Sequence, residues 1–385
     1  MKKTIAVVLL SACLLVMLPL QAQAAEIPVQ APCCILMHDS GEVIYEKNAD
    51  QKMPPASVTK IMTLLLVMEA IERGELAWED VVIGSAHAAS MGGSQIWLKE
   101  GEQFTVEEMV KCVAVASAND CSVALAEHIA GSEEAFVARM NARAQELGMV
   151  HTQFVNCCGL EAEGHYTTAR DIAQMSAALL RHEKITEYTT IWTDTIRDGA
   201  FGLTNTNKMI RSYKGMIGLK TGYTSDAGYC LSGAATRDGM TLIAVVLRGE
   251  SSNSRNSDVA ALLNYGFANY TSLVISPDQP LMPVPVVMGK GTCVPIQLAE
   301  EREVLLARSR MEGMTKLLEV AEEVEAPVQA GDALGRFVVV DGEGEVICET
   351  DIVAAEAVER LSLMDLWGRM LSKVLLRGES TGETE

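Results

Sequence analysis

The spacing of apolar residues changes from strand-like to helical and back again along this 385-residue chain, and that order dictates a layered fold. Residues 35–45 alternate as a hairpin with its turn at Asp39-Ser40-Gly41, and a helix is predicted over 57–72. The middle of the chain is helical: 106–116, 120–130, 133–147 and 169–180 are rich in Ala, Leu, Met and Glu at helical spacing. Strands return at 217–221, 229–236 and 240–247, the last two joined by Asp238-Gly239, a dipeptide suited to tight hairpins. The expectation is an α/β (α+β) domain in which helices pack on a sheet.

Prolines cluster over 276–285, and beyond them the sequence is short-stranded, Val-rich and broken by turns, as in 336–349. A small β domain is expected there. The last segment, 361–377, sets Leu363, Leu366, Trp367, Met370, Leu371 and Val374 on one helical face, with Arg369, Lys373 and Arg377 on another. Such a basic amphipathic helix suits a membrane interface with anionic headgroups; the alternative is a helix docked on the β domain. The chain therefore divides into a signal peptide at 1–24, a catalytic domain at 25–275, a small β domain at 276–355, and an amphipathic helix with an acidic tail at 356–385.

With 49% hydrophobic and 21% charged residues the chain can bury a full core. Its formal net charge of -20 excludes extended nucleic-acid contact, which depends on clustered Lys and Arg. The N-terminus reads as an export signal: Lys2 and Lys3, an apolar run over 5–20, then Ala22-Gln23-Ala24 as a cleavage site. That run is shorter than the roughly 20 residues a membrane span needs. Leu10-Ser11-Ala12-Cys13 looks like a lipobox, a second option, but the apolar run continues past it. Of the ten cysteines, all but Cys13 follow Ala24, leaving an odd number with adjacent pairs at Cys33-Cys34 and Cys157-Cys158. No disulfide framework follows from them. With no Cys-x-x-Cys, no His-Glu-x-x-His and scattered histidines, neither a metal nor another cofactor is expected.

The chemistry centres on Pro54-Pro55-Ala56-Ser57-Val58-Thr59-Lys60. Prolines favour a first helical turn, so Ser57 is placed at a helix N-terminus, where free N–H groups and the helix dipole favour developing negative charge. Residues three apart share a face, so Lys60 lies beside Ser57 on the stripe with Ile61, Leu64 and Met68. Burial there would lower the lysine pKa and make it a base for the Ser57 hydroxyl. By itself this spacing equally describes a surface serine and a lysine with its head in water. Two later stretches weigh against that. Ser117-Ala118-Asn119 lies between two helical segments, and Lys220-Thr221-Gly222 on a predicted strand. Ser117 can relay a proton, and Asn119 can orient Lys60 or bond a substrate carbonyl. Lys220 and Thr221 suit a terminal carboxylate, while Gly222 lets a peptide approach the strand. The Ser57 and Tyr223 N–H groups can form an oxyanion hole. Taken singly, Ser117 to Asn119 also fit a helix cap, and Lys220 to Gly222 a strand end.

The trio recurs in class A β-lactamases and penicillin-binding proteins. Together with residues 48–63, His165-Tyr166-Thr167-Thr168-Ala169-Arg170-Asp171, Asn205-Thr206-Asn207-Lys208, Gly218-Leu219-Lys220-Thr221-Gly222-Tyr223-Thr224 and Leu262-Leu263-Asn264-Tyr265-Gly266-Phe267, the chain resembles the low-molecular-weight penicillin-binding proteins, the serine-type D-alanyl-D-alanine carboxypeptidases of peptidase family S11. The resemblance implies the penicillin-binding/β-lactamase-like fold, with an antiparallel sheet and packed helices. It implies removal of the terminal D-alanine from peptidoglycan stem peptides through an acyl-enzyme on Ser57, with Lys60 as base, Ser117 and Asn119 completing the centre and Lys220 binding substrate. β-Lactams are then covalent inhibitors. The implied location is the cell envelope, peripheral on the outer face of the cytoplasmic membrane. Cys157-Cys158 and Arg248-Gly249-Glu250 depart from the pattern and leave loop geometry and substrate preference open. Two rivals remain: a class A-like β-lactamase with Glu161 or Glu163 holding a hydrolytic water, and a non-catalytic wall-binding protein of the same fold.

Overall fold

The structure, a computed structural model, describes residues 27–377. The export signal, the lipobox and the end of the acidic tail lie outside the described residues.

Strands β1 (Cys33–His38) and β2 (Val43–Lys47) form the expected hairpin. The predicted helix over 57–72 begins differently. Ala56–Thr59 is a single 3-10 turn, and the α-helix proper, α1, runs from Lys60 to Glu72. Nor does α1 present one apolar stripe: every residue from Lys60 to Met68 is buried, as suits a helix surrounded by the rest of its domain.

Around α1 lie α2 (Val106–Ala116), α3 (Asn119–Ala130), α4 (Glu133–Glu146) and α5 (Ala169–Leu180). A reciprocal capping box of Thr105 and Glu108 starts α2. The long strands β3 (Met216–Thr224), β4 (Gly228–Arg237) and β5 (Met240–Gly249) follow, then α6 (Ser252–Asn269). Asp238 and Gly239 turn β4 into β5 with φ of 50° and 82°, the left-handed pair a two-residue hairpin needs. The sheet order is β2-β1-β5-β4-β3, antiparallel throughout, so β1 pairs with β5 across most of the domain's length. Both faces are covered. Ile35, Met37, Ile243 and Val245 point into the helical core around α1, while Leu36, Leu242, Ala244 and Val246 point towards α6. Two short ribbons escape the sequence reading: Val81–Ile83 with Gln103–Thr105, and Thr193–Ile196 with Phe201–Thr204.

Strand β6 (Tyr270–Ile275) leaves α6 directly and, across the proline-rich stretch, pairs with β9 (Arg302–Ala307). Between them lie β7 (Val284–Val287) and β8 (Ile296–Leu298). Then come β10 (Thr315–Val320), β11 (Ala333–Val340) and β12 (Val346–Ala354), in a second sheet ordered β8-β12-β11-β10 with its own core around Phe337, Val339 and Ile352. Helix α7 (Leu363–Arg377) ends the described chain. Leu363, Trp367, Met370 and Leu371 on it are 78%, 71%, 66% and 61% exposed while Leu366 is half-buried, so most of the described apolar face is not docked on the β domain. No helix among the described residues is long and apolar enough to cross a membrane.

Candidate active site

The 3-10 turn that carries Ser57 is wedged between two backbones. On one side runs β3, where a Cβ on Gly222 would stand 3.0 Å from the Ser57 nitrogen and 3.0 Å from the Pro55 carbonyl oxygen. On the other side the loop after Asn156 presses so close that a Cβ on Gly159 would lie 1.8 Å from the Ala56 carbonyl oxygen. Ala56 itself takes a left-handed φ of 49°, a sterically costly state for a residue with a Cβ. The turn thus presents Ser57 on a sharp, doubly supported corner.

Lys60 is fully buried. Its Nζ lies 2.9 Å from Ser57 Oγ and 2.6 Å from the Cys158 carbonyl oxygen. Desolvation pushes its pKa down to about 8, against upward pulls from Cys158, Cys157 and Asp120. The Cys158 thiol is itself pulled down, first by the Cys157 thiol that bonds to it and also by Lys60. A lysine of this kind holds an appreciable fraction of neutral amine near neutral pH.

The other predicted residues converge on the same cleft. Ser117 ends α2 in a left-handed conformation, φ 62° and ψ 33°. That bend separates α2 from α3 and turns the serine inward. Its Oγ is buried and has no hydrogen-bond partner among the described residues, and neither has Asn119 Oδ1. Asn119 Nδ2 donates to the Gly92 carbonyl at 2.7 Å, and the next residue, Asp120, accepts the Ile96 and Leu98 N–H groups, anchoring the 92–98 loop to α3. Of the two roles open to Asn119, the direct contact with Lys60 is not formed among the described residues. Cys158 supplies that partner through its backbone, which no side-chain pattern discloses. The orphaned Oγ and Oδ1 are groups whose partners a bound ligand would provide.

Lys220 is also fully buried, and its pKa is driven well down by desolvation, then by the positive charges of Lys60 and Arg255. Its Nζ donates to the Thr221 carbonyl at 3.0 Å, and Thr221 Oγ1 to Thr206 Oγ1 at 2.7 Å. Arg255, on α6, donates to the Cys230 carbonyl at 3.3 Å and is likewise lowered by burial. No carboxylate is among the groups that shift Lys220. Burial and its cationic neighbours favour the neutral form of Lys220, and a ligand's carboxylate placed beside it would favour the ammonium and pair with it. Thr206 and Arg255 were not singled out from sequence; Thr206 sits inside the Asn-Thr-Asn stretch, whereas nothing local marks Arg255. Tyr223 follows at the exit of β3, exposed and packed on Tyr229 at 4.4 Å between ring centres.

Glu161 is engaged with the β3–β4 turn. Its Oε1 accepts the Asp226 N–H at 3.1 Å across the β3–β4 turn, and that bond, with the Thr224 hydroxyl, keeps its carboxyl below the usual range. Glu161 and Glu163 line a cavity of about 320 Å³ beside Pro54, Pro55 and Ala56. A larger cavity, about 490 Å³, lies in the β domain between the 277–285 prolines and Phe337, with none of the groups above. Among the described residues, no group of three or more His, Cys, Asp or Glu could hold a metal ion.

Residues 20–251 match the family described as Peptidase S11, D-alanyl-D-alanine carboxypeptidase, and residues 270–360 match the penicillin-binding protein 5 C-terminal domain. D-alanyl-D-alanine carboxypeptidase DacF of Bacillus subtilis is 40% identical over 355 residues, 91% of each chain. DacC of Escherichia coli is 34% identical over 329 residues, 82% of each. Penicillin-binding protein 5 of Haemophilus influenzae superimposes with a TM-score of 0.73 at 28% identity, covering 86% of this chain and 98% of that one. Ampicillin-bound penicillin-binding protein D2 of Listeria monocytogenes gives 0.58 at 32% identity, over 63% of this chain and 99% of the other.

Proposed function

Since the chain belongs to the peptidase S11 family of D-alanyl-D-alanine carboxypeptidases, we propose that Ser57 is its nucleophile and Lys60 the base that activates it. The protein is a serine-type D-Ala-D-Ala carboxypeptidase and a penicillin-binding protein acting on peptidoglycan stem peptides. The observation that carries the residue assignment is the 2.9 Å contact between the buried Lys60 Nζ and Ser57 Oγ.

Neutral Lys60 takes the Ser57 hydroxyl proton as Oγ attacks the carbonyl of the penultimate D-alanine. The Ser57 and Tyr223 N–H groups receive the oxyanion. As the tetrahedral centre collapses, the C–N bond breaks and the proton passes from Lys60 through Ser117 to the departing D-alanine nitrogen. Asn119 holds the peptide through its amide, and Lys220 with Thr221 binds the terminal carboxylate. Water then attacks the ester, giving a proton to Lys60, which returns it to Ser57 Oγ as the C–O bond breaks and the shortened peptide leaves. A lactam fills the same place, but its amine stays tethered to the acyl group. The engagement of Glu161 with Asp226 weighs against a β-lactamase, whose glutamate must hold water at the ester. Mass spectrometry after incubation with penicillin, then with a D-Ala-D-Ala peptide, tests this: the adduct belongs on Ser57, and Ser57→Ala should give neither adduct nor free D-alanine.

For location we propose export through residues 1–24 and peripheral attachment to the outer face of the cytoplasmic membrane. The exposed apolar face of α7 supports this. Protein lacking residues 361–385 should leave the membrane fraction; if it stays there, α7 is not the anchor. The division at 25–275, 276–355 and 356–385 belongs to the same proposal.

A further inference from the structure

We infer that Asn156 is the positioning residue for the base: its side-chain amide clamps two successive peptide units whose carbonyls hold α1 at Thr63 and Lys60. This rests on the reading of Lys60 as base given above.

Asn156 Oδ1 accepts the N–H groups of Cys158, Gly159 and Leu160 at 3.3, 2.7 and 3.1 Å, and its Nδ2 donates to the Leu160 carbonyl at 2.9 Å. A peptide unit is rigid and, when trans, its N–H and C=O point in opposite directions. The Gly159 N–H and the Cys158 C=O belong to one such unit. Its nitrogen end is held by Asn156 at 2.7 Å and its oxygen end takes Lys60 Nζ at 2.6 Å. The preceding unit repeats the arrangement: its N–H, on Cys158, goes to Asn156, and its oxygen, on Cys157, accepts from Thr63 Oγ1 at 2.5 Å. Thr63 and Lys60 are one helical turn apart, so two adjacent carbonyls match two stacked positions on α1. Hydrogen bonding at each N–H also strengthens the carbonyl opposite it as an acceptor.

A neutral lysine has two N–H donors and one lone pair. Spending one donor on a fixed carbonyl limits how the lone pair can turn, and the Ser57 hydroxyl lies within reach of it at 2.9 Å. The loop has no room to slide towards the nucleophile, because Gly159 already abuts the Ala56 carbonyl. The titratable groups around Lys60 are Cys157 and Cys158 from the loop, Asp120 from α3 and Lys220 from β3. Asn156 carries no charge and acts only through the peptide units.

The test is the rate of Ser57 acylation by penicillin from neutral to alkaline pH, in the full-length protein and in Asn156→Ala and Asn156→Asp, with thermal melting of each. Asn156→Ala should acylate about ten- to a hundred-fold more slowly. Its acid limb should move to lower pH, since the ammonium loses a fixed acceptor. Asn156→Asp keeps an oxygen for all three N–H groups and should recover most of the parent rate on the alkaline plateau. Its acid limb should move the other way, to higher pH, because the new negative charge favours the ammonium. If Asn156→Ala does not fold, Asn156→Gln takes its place, carrying the same amide one methylene too far, with the same slow acylation expected. Parent-like acylation in Ala or Gln, or an unmoved acid limb in both Ala and Asp, overturns the inference. A parent protein without a Ser57 adduct, or a Lys60→Arg variant that acylates normally, would instead sink the reading of the base.

Discussion

Gly222 lies directly against the backbone of Ser57, with little space for a side chain: a Cβ on Gly222 would stand 3.0 Å from the Ser57 nitrogen and 3.0 Å from the Ala56 Cβ. Such a contact is tighter than most real Cβ contacts, and every neighbour named is backbone or a Cβ that cannot swing aside. Gly222→Ala should therefore push β3 off the nucleophile turn and slow penicillin acylation about ten- to a hundred-fold while the protein still melts cooperatively. Acylation kinetics with a labelled penicillin check this, and an unimpaired rate would show that the turn can yield.

Acylation should rise with pH up to about 8 and then level, because burial holds the Lys60 pKa there and only the neutral amine accepts the Ser57 proton. Lys60→Arg, always charged, should be nearly inert across that range. A rate independent of pH would assign the base elsewhere.

The same burial sets a stability cost. The Lys60 pKa is lower folded than unfolded, so between about 8 and the ordinary lysine value of 10.5 the unfolded chain binds more protons and stability rises with pH. Below 8 the full cost remains. Lys60→Met, which fills similar space without a charge, should raise stability by about 1–3 kcal/mol at neutral pH while abolishing acylation. Thermal and denaturant melts measure it; a destabilised variant would mean that the Cys158 bond outweighs desolvation.

If Lys220 serves the substrate carboxylate, Lys220→Gln should lower kcat/KM for a D-Ala-D-Ala peptide about a hundred-fold, chiefly through KM. The corresponding peptide amide, lacking that charge, should be a poor substrate of the parent and lose little more in the variant. Equal losses on both substrates would give Lys220 a structural role.

Glu161→Gln should leave the lifetime of the penicillin adduct unchanged, since the carboxylate serves the Asp226 N–H and not the ester. Faster or slower adduct loss, followed by mass spectrometry, would reopen the lactamase reading.

Much of the site could be read along the chain because spacing on a helix and residue chemistry are local. Ser57 and Lys60 are neighbours on any helical turn, and Asp238-Gly239 demands a left-handed hairpin wherever it occurs between strands. The 3-10 start at Ala56–Thr59 was not legible, because it follows from two other backbones closing on Ser57. The adjacent cysteines looked anomalous in sequence. In the fold, their carbonyl oxygens engage Thr63 and Lys60, and every residue type carries such an oxygen.

Periodicity, turn residues and the order of the three motifs came from the chain alone: helices in the middle, strands on either side, and a serine with a lysine one turn on. Tertiary structure decided that β1 pairs with β5, that Lys60 is buried away from solvent, and that Asn156 reaches it through a peptide unit. Local geometry depends on neighbours three or four residues away, whereas desolvation and long-range hydrogen bonds depend on segments about a hundred residues or more distant, which only the packed fold brings together.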